Sequence, residues 1–110
     1  MKWKVFGNLV LDETVVLVSG NALRLTDFER KVLNALIQRA PAVCPRSDLY
    51  AALYGTSEPP KSNVLQVVVS RLRQKLDRAG ANVDVHAQAR QGYSLRMRPP
   101  ATEAAQADAA

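Results

Sequence analysis

Residues 62–78 carry side chains that can hydrogen-bond the edges of base pairs, and their spacing is helical. At about 100° per residue, one narrow arc is apolar and comprises Leu65, Val69, Leu72 and Leu76. The opposite arc comprises Asn63, Val67, Ser70, Arg71 and Gln74. Asn, Ser, Arg and Gln can bond base edges in a major groove, and a valine can contact the thymine methyl group. The pattern predicts a helix with one face in the core and the other presented to duplex DNA.

Positive charge is concentrated around this helix. Residues 61–98 hold 8 Lys or Arg against 2 Asp or Glu, whereas residues 1–60 hold 7 against 6. A local basic excess suits a polyanion, because each neutralised phosphate releases counterions. We therefore predict phosphate contacts at Arg73, Lys75 and Arg78. A solvated amphipathic helix face remains an alternative interpretation, since charge alone does not separate the two.

A second basic element follows this helix. Residues 83–98 alternate as a hairpin whose turn contains Arg90, Gln91 and Gly92. An arginine at such a tip can enter a minor groove, where it senses negative potential, although it can equally be an ordinary exposed turn residue. We expect the ring of Tyr93 to pack on the inner side of the hairpin, with its hydroxyl group reaching a phosphate.

The elements that must position these residues can be placed from turn and capping signals. Residues 3–25 alternate as an antiparallel meander of three or four short strands. Thr26 and Glu29 form a capping box that opens a helix ending at Pro41. A second helix is predicted from about residue 46 to residue 54, with Gly55 as its left-handed stop. The expected fold class is α+β, with an N-terminal antiparallel sheet, three helices and a C-terminal hairpin.

The remaining residues offer little chemistry. The aromatic residues outside the hairpin are Trp3, Phe6, Phe28, Tyr50 and Tyr54. We expect them to lie mainly in the core, with Tyr50 or Tyr54 partly exposed. Cys44, the single cysteine, is expected to be buried and inert. One cysteine and one histidine cannot build a zinc site, so we predict no metal and no cofactor. No nucleophile–base pair or glycine-rich phosphate loop stands out, and we predict that the chain is not an enzyme.

Five segments resemble the winged-helix effector domains of OmpR/PhoB-type response regulators. Residues 25–29 (Leu-Thr-Asp-Phe-Glu) resemble the L-T-x-x-E that opens the first helix of that family. Residues 46–49 and 53–55 look like its second helix, residues 62–76 are very similar to its recognition helix, and residues 92–95 look like the last strand of its wing. The match covers about residues 3–98, and the Ser-Arg-Leu-Arg-x-Lys-Leu run is its most specific part.

The resemblance implies a mode of action. The third helix would lie in the major groove and the hairpin wing in the minor groove, often with two protomers in tandem on direct repeats. The loop between the second and third helices would contact RNA polymerase, and the residues of that predicted contact are Thr56, Ser57, Glu58 and Lys61.

Three departures from the family pattern stand out. The family usually joins this domain to a phosphorylatable receiver of a two-component phosphorelay. Here Met1 begins at the sheet, so we expect a stand-alone regulator or an excised domain. Gln66 and Val68 stand where the family often has Asp and His, so base preference does not carry over. The wing usually reads Arg-Gly-x-Gly-Tyr, but here Arg90 lies one position later than the family arginine.

The predicted function is sequence-specific binding of double-stranded DNA by a bacterial transcriptional regulator with a cytoplasmic location. The alternative is a winged-helix protein-interaction module, in which Val64 and Val67 belong to a protein interface. We expect one domain over residues 1–98 and a disordered Ala-rich tail over residues 99–110. No apolar run reaches the roughly 18 residues needed to span a bilayer, so we expect no membrane contact.

Overall fold

A computed structural model describes residues 3–12, 15–55, 63–88 and 90–98. The elements in chain order are β1 (Lys4–Phe6), β2 (Leu9–Leu11), β3 (Val16–Val18), β4 (Asn21–Ala22), α1 (Asp27–Arg39), β5 (Cys44–Pro45), α2 (Arg46–Tyr54), α3 (Val64–Arg78), β6 (Val83–Gln88) and β7 (Gly92–Met97). The predicted α+β class, the three helices and the terminal hairpin are confirmed. No helix among the described residues is both long and apolar enough to cross a membrane.

The N-terminal sheet is an antiparallel meander in the order β1-β2-β3-β4, as the alternation of residues 3–25 predicted. Its inner face supplies four buried residues to the core, and these are Leu9, Leu11, Val16 and Val18. Its outer face carries a cross-strand row in direct register, formed by Val5, Val10, Leu17 and Ala22. Period-two alternation therefore gives the sheet one core face and one apolar face that is partly open to solvent.

The capping box at the start of α1 forms as predicted. The Thr26 hydroxyl accepts a hydrogen bond from the Glu29 N–H (3.2 Å), and the Glu29 carboxylate accepts one from the Thr26 N–H (2.9 Å). The inward stripe of α1 is fully buried and comprises Val32, Leu33, Leu36 and Ile37. The helix ends at Arg39, two residues before Pro41, because the ring of a proline cannot follow a helical residue without a clash.

Helix α2 begins directly after Pro45 and ends where Gly55 adopts a left-handed conformation (φ 75°). The N–H of Gly55 donates to the carbonyl oxygen of Ala51 (2.8 Å), which satisfies one of the terminal carbonyl groups. Leu49 and Leu53 form its buried side. The predicted bounds and the predicted stop are both confirmed.

A second, three-stranded sheet in the order β5-β7-β6 was not predicted as such, because β5 has only two residues. Cys44 pairs with Tyr93 and Pro45 pairs with Gly92. A two-residue strand has no periodicity that sequence patterns could detect. Cys44 is buried as expected, and burial raises the pKa of its thiol.

Two expectations about burial are wrong. Trp3, expected in the core, is 43% exposed, because it shares the outer side of the N-terminal sheet with Val5 two residues later. The alternation of the hairpin residues predicts that Ala87 lies on the same inner side as Val83 and Val85, but Ala87 is exposed, although its register partner Tyr93 is buried.

A pair of asparagines closes the chain on itself. The N–H of Asn8, in the turn between β1 and β2, donates to Oδ1 of Asn82, and the N–H of Asn82 donates to Oδ1 of Asn8, each at 2.9 Å. The Asn8 amide also donates to the carbonyl oxygen of Gly80 (3.1 Å). These bonds fix the end of α3 and the start of the hairpin to the first turn of the chain.

We expect Gly92→Ala to destabilise the fold strongly. A Cβ atom at Gly92 (φ 152°) would lie 2.0 Å from the carbonyl oxygen of Cys44 and 3.0 Å from Cα of Pro45. Backbone strain and overpacking together should lower the free energy of unfolding by about 3 kcal/mol or more, measurable by urea denaturation. Gly80→Ala is the matched control, because Gly80 also has a positive φ (77°) but open space around it. Equal losses in the two variants would contradict the close approach of β5 and β7.

Candidate nucleic-acid interface

The outward face of α3 is where the sequence predicts base contacts, and the structure exposes all of it. The exposed residues of this face are Asn63, Val67, Ser70, Arg71 and Gln74. Val67 is the apolar member of this face and is 38% exposed. Asn63 is the N-cap residue, but its side chain makes no capping hydrogen bond. The exposure is confirmed, and contact with bases stays a prediction.

The inward face of α3 holds the helix against the rest of the protein. Its buried residues are Leu65, Val68, Val69, Leu72 and Leu76, one more than the four predicted, because Val68 also turns inward. The helix packs against α1 and β6. Burial of this stripe leaves the polar arc on the solvent side.

The basic residues of α3 differ in whether their charged groups are paired with a carboxylate of the protein. Arg73 is exposed, and its Nε donates to the carbonyl oxygen of Val85 (2.9 Å), which ties α3 to β6. Arg78 is exposed in the last turn of the helix. Lys75, in contrast, forms an ion pair with Glu29 of α1, with 2.6 Å between Nζ and Oε1. Phosphate contact by these three residues stays a prediction, and Lys75 already has a partner inside the protein.

Glu29 is a buried carboxylate at the junction of α1 and α3. It is 1% exposed, and its Oε1 accepts hydrogen bonds from both Lys75 Nζ and the Thr26 N–H. Burial alone would raise the pKa of Glu29. The hydrogen bond and charge of Lys75, together with the bonds from Thr26, outweigh burial and lower that pKa below its ordinary value. Glu29 is therefore ionised around neutral pH and holds Lys75 in place.

The hairpin β6–β7 is anchored to α3 by charge as well as by Arg73. The Arg98 guanidinium, at the end of β7, bonds Asp84 of β6 (2.6 Å) and Asp77 of α3 (3.2 Å). Among the basic side chains of residues 63–88 and 90–98, Lys75 and Arg98 are thus paired with carboxylates within the protein. The hairpin and the helix form a continuous surface.

The tip of the hairpin exposes Arg90 in a left-handed conformation (φ 64°). Gln91 donates its N–H to the carbonyl oxygen of Gln88 (3.0 Å), which closes the predicted turn. A positive φ disfavours any residue with a Cβ, and Arg90 stands where the resembled family has glycine. The exposure of Arg90 is as predicted, and its entry into a minor groove stays a prediction.

Tyr93 and Arg46 meet at the base of the hairpin. The ring of Tyr93 is buried (4% exposed), as the sequence predicted, and the Arg46 guanidinium carbon lies 6.0 Å from its centroid. The backbone N–H of Arg46 donates to the carbonyl oxygen of Gln91 (3.3 Å). Sequence patterns did not single out Arg46, because only the pairing of β5 with β7 brings the start of α2 to the hairpin. Contact of the Tyr93 hydroxyl with a phosphate stays a prediction.

The predicted polymerase-contact residues, Thr56, Ser57, Glu58 and Lys61, lie outside the described residues, as does the tail at 99–110. Within the described ranges, no three His, Cys, Asp or Glu side chains cluster as metal ligands would.

Known sequences resemble this chain over most of its length. Residues 20–95 match the family described as "Transcriptional regulatory protein, C terminal". The probable transcriptional regulatory protein y4xI of Sinorhizobium fredii is 33% identical over 84% of the chain, and the two-component response regulator PhoP of Pseudomonas aeruginosa is 34% identical over 84%. The chain spans 42% of the length of each of these relatives.

Solved structures have the same fold. The DNA-binding domain of CpxR from E. coli superposes with a TM-score of 0.76 at 24% identity, over 90% of this chain and 100% of that one. The RstA DNA-binding domain of Klebsiella pneumoniae, solved in complex with the RstA box, gives 0.72 at 25% identity, over 91% and 100%.

The lowered pKa of Glu29 predicts an acid-dependent loss of stability. Because the folded-state pKa lies below the unfolded value of about 4.3, the ionised group stabilises the fold above that pH. This contribution is lost as the pH falls through the folded-state pKa. We expect Glu29→Gln to lower the free energy of unfolding relative to the wild type, and to lower it less at about pH 3.5 than at about pH 6. Urea denaturation at the two pH values measures this difference. Asp27→Asn, which removes an exposed carboxylate of the same turn, is the control. A cost for Glu29→Gln that is independent of pH would contradict the assignment.

The positive φ of Arg90 predicts that replacing this residue with glycine raises the stability of the fold and weakens binding to DNA. Arg90→Gly should raise the free energy of unfolding by about 1 kcal/mol, because glycine adopts a positive φ without strain. It should also weaken binding to duplex DNA through the loss of the guanidinium group. Arg90→Ala removes the same charge but keeps the strain, so it should weaken binding without the gain in stability. Unchanged DNA affinity in both variants would refute the role of Arg90.

Proposed function

The chain belongs to the family of C-terminal domains of transcriptional regulatory proteins, as its resemblance predicted, and we propose that it binds double-stranded DNA in a sequence-specific manner. In this proposal α3 enters the major groove and the β6–β7 hairpin, the wing, contacts the adjacent minor groove. The proposal assigns the chain no enzymatic reaction. Its action on DNA would take place in the bacterial cytoplasm.

The observation that carries the proposal is the division of α3 into two faces. One side of this 15-residue helix is buried and wholly apolar. The other presents Asn63, Ser70, Arg71 and Gln74 to solvent with Val67 among them. A purely solvated face gains nothing from an exposed valine beside hydrogen-bonding side chains, whereas a base-reading face uses both. We propose these five residues as the base contacts.

The surrounding charges support a matching set of backbone contacts. Arg78 lies on the outward face in the last turn of α3 and Arg73 lies on one flank of that face, and both are exposed. Arg90 lies at the tip of the wing, on the element that follows α3. Contacts to phosphates would fix the register of the helix without reading sequence, and Arg90 would respond to minor-groove width. The Tyr93 hydroxyl would add a contact at the base of the wing.

The relatives supply the biological setting. They are named as transcriptional regulatory proteins and response regulators, and the RstA domain was solved with its DNA box. We extend from them the proposals that this domain regulates transcription, that two copies bind side by side on repeated sites, and that the loop between α2 and α3 contacts RNA polymerase. The alternative of a module that does not read DNA receives no support from these relatives.

Selection from a pool of random duplexes at two salt concentrations tests the proposal. We expect enrichment of a motif whose repeats lie about one helical turn apart, and binding that weakens steeply as salt rises. Salt-sensitive binding without enrichment would reduce the function to non-specific DNA binding. Absence of binding at low salt would refute it.

The same selection with Arg71→Ala tests the base contacts. We expect weaker binding and relaxed preference at one position of the motif, by about 1–3 kcal/mol, because one side chain contacts about one base pair. Arg39→Ala is the control for loss of a positive charge, because Arg39 lies in the last turn of α1 and pairs with Asp48. An Arg71→Ala protein with unchanged affinity and preference would refute the role.

A further inference from the structure

We propose that the ion pair between Lys75 and Glu29 sets the rotation of α3 on α1, so that Lys75 is a positioning residue for DNA recognition rather than a phosphate contact. This inference rests on the proposed function. It gives a role to the one basic side chain of α3 that is bound to a buried carboxylate.

The geometry commits the Lys75 charge to the protein interior. Its Nζ lies 2.6 Å from Oε1 of Glu29, a carboxylate that is 1% exposed, whereas the Lys75 side chain is 36% exposed. A phosphate contact would require Lys75 to leave Glu29, and an ionised carboxylate would then stay buried without its cation. Such a rearrangement is costly, so Lys75 is expected to stay where it is when DNA binds.

Glu29 is itself held rigidly. It is the third residue of α1, and its carboxylate also closes the capping box by accepting the Thr26 N–H. The anchor for Lys75 is therefore fixed to the backbone at the start of α1. A charge-assisted hydrogen bond to such an anchor is shorter and roughly twice as strong as a neutral one, so it holds the Lys75 ammonium group close to the start of α1.

Apolar burial alone leaves the rotation of α3 loosely defined. The stripe that contains Leu72 and Leu76 contributes most of the packing, but hydrophobic burial has no preferred direction. The bond from Lys75 acts between these two residues in the sequence. It therefore adds a polar restraint between α3 and α1, whereas the bonds of Arg73 and Arg98 restrain α3 against the hairpin.

The restraint acts next to Arg71, one of the proposed base contacts. Arg71 and Lys75 are four residues apart on α3, so they are neighbours on the helix surface. A rotation of about 20° would move the helix surface by about 2 Å at its radius of about 5–6 Å. A hydrogen-bonded base contact tolerates only about 0.5 Å, so loss of the pair should weaken base contacts without removing any DNA-contacting group.

The experiment measures the affinity of the folded fraction of each variant for the selected duplex over a range of salt concentrations. Lys75→Met keeps a long, unbranched side chain and removes its charge. Glu29→Gln keeps the oxygen that closes the capping box and removes the carboxylate charge. Arg78→Met is the matched control, because it removes an exposed charge three residues further along the same helix.

We expect Lys75→Met and Glu29→Gln each to lower affinity roughly tenfold, with the slope of log affinity against log salt unchanged. The double variant should lose no more than Lys75→Met alone, because both changes act on the same ion pair. Arg78→Met should reduce the slope by about 0.9, as for one phosphate contact. Lys75→Arg, which can still reach Glu29 as a cation, should restore the affinity.

Two outcomes would overturn the inference. One is a slope reduced by about 0.9 in Lys75→Met with wild-type affinity in Glu29→Gln, which would make Lys75 a phosphate contact. The other is wild-type affinity in both variants while the wild-type protein binds its duplex. A wild-type protein that selects no duplex would instead refute the proposed function together with this inference. If Lys75→Met does not fold, Lys75→Ala, which also removes the donor to Glu29, replaces it.

Discussion

The burial of one side of α3 against α1 and β6 is the constraint on which the rest of the molecule depends. Because the apolar stripe of α3 must face inward, the arc that contains Asn63, Arg71 and Gln74 must face solvent. Helix α1 and strand β6 supply the surfaces against which this stripe packs, and the N-terminal sheet and α2 complete the same core. The proposed DNA-binding face is therefore a consequence of core packing, and substitutions in the core that shift α3 would change how that face is presented.

The wing depends on a different kind of contact, a close approach between backbones. Gly92 lets β7 pass so near β5 that no side chain fits between them, and this brings Arg46 to Tyr93. Arg73 and Arg98 then attach the wing to α3 from the other side. Helix and wing are consequently held in one relative orientation, which a two-groove contact with DNA requires.

Most of the fold follows from short-range signals in the sequence. The capping box at Thr26, the left-handed stop at Gly55 and the helical period of residues 62–78 each depend on a few neighbouring residues, and each is confirmed. The errors have long-range causes. The partner of Lys75 lies on another helix, β5 forms only because β7 pairs with it, and the exposure of Trp3 depends on which side of the sheet the core covers. Charge and helical period located the exposed face of α3, but they could not distinguish a free cation from one that is bound to a buried carboxylate.

The reciprocal bonds between Asn8 and Asn82 have a consequence for how the chain folds during its synthesis. They join residues 74 positions apart, and the core is complete only when Leu95 of the last strand is in place. Contacts of such high sequence separation slow folding, because a long loop must close before they contribute. A nascent chain therefore has all three helices available before it can reach a stable native state. The core therefore cannot be complete before the C-terminal hairpin has emerged from the ribosome.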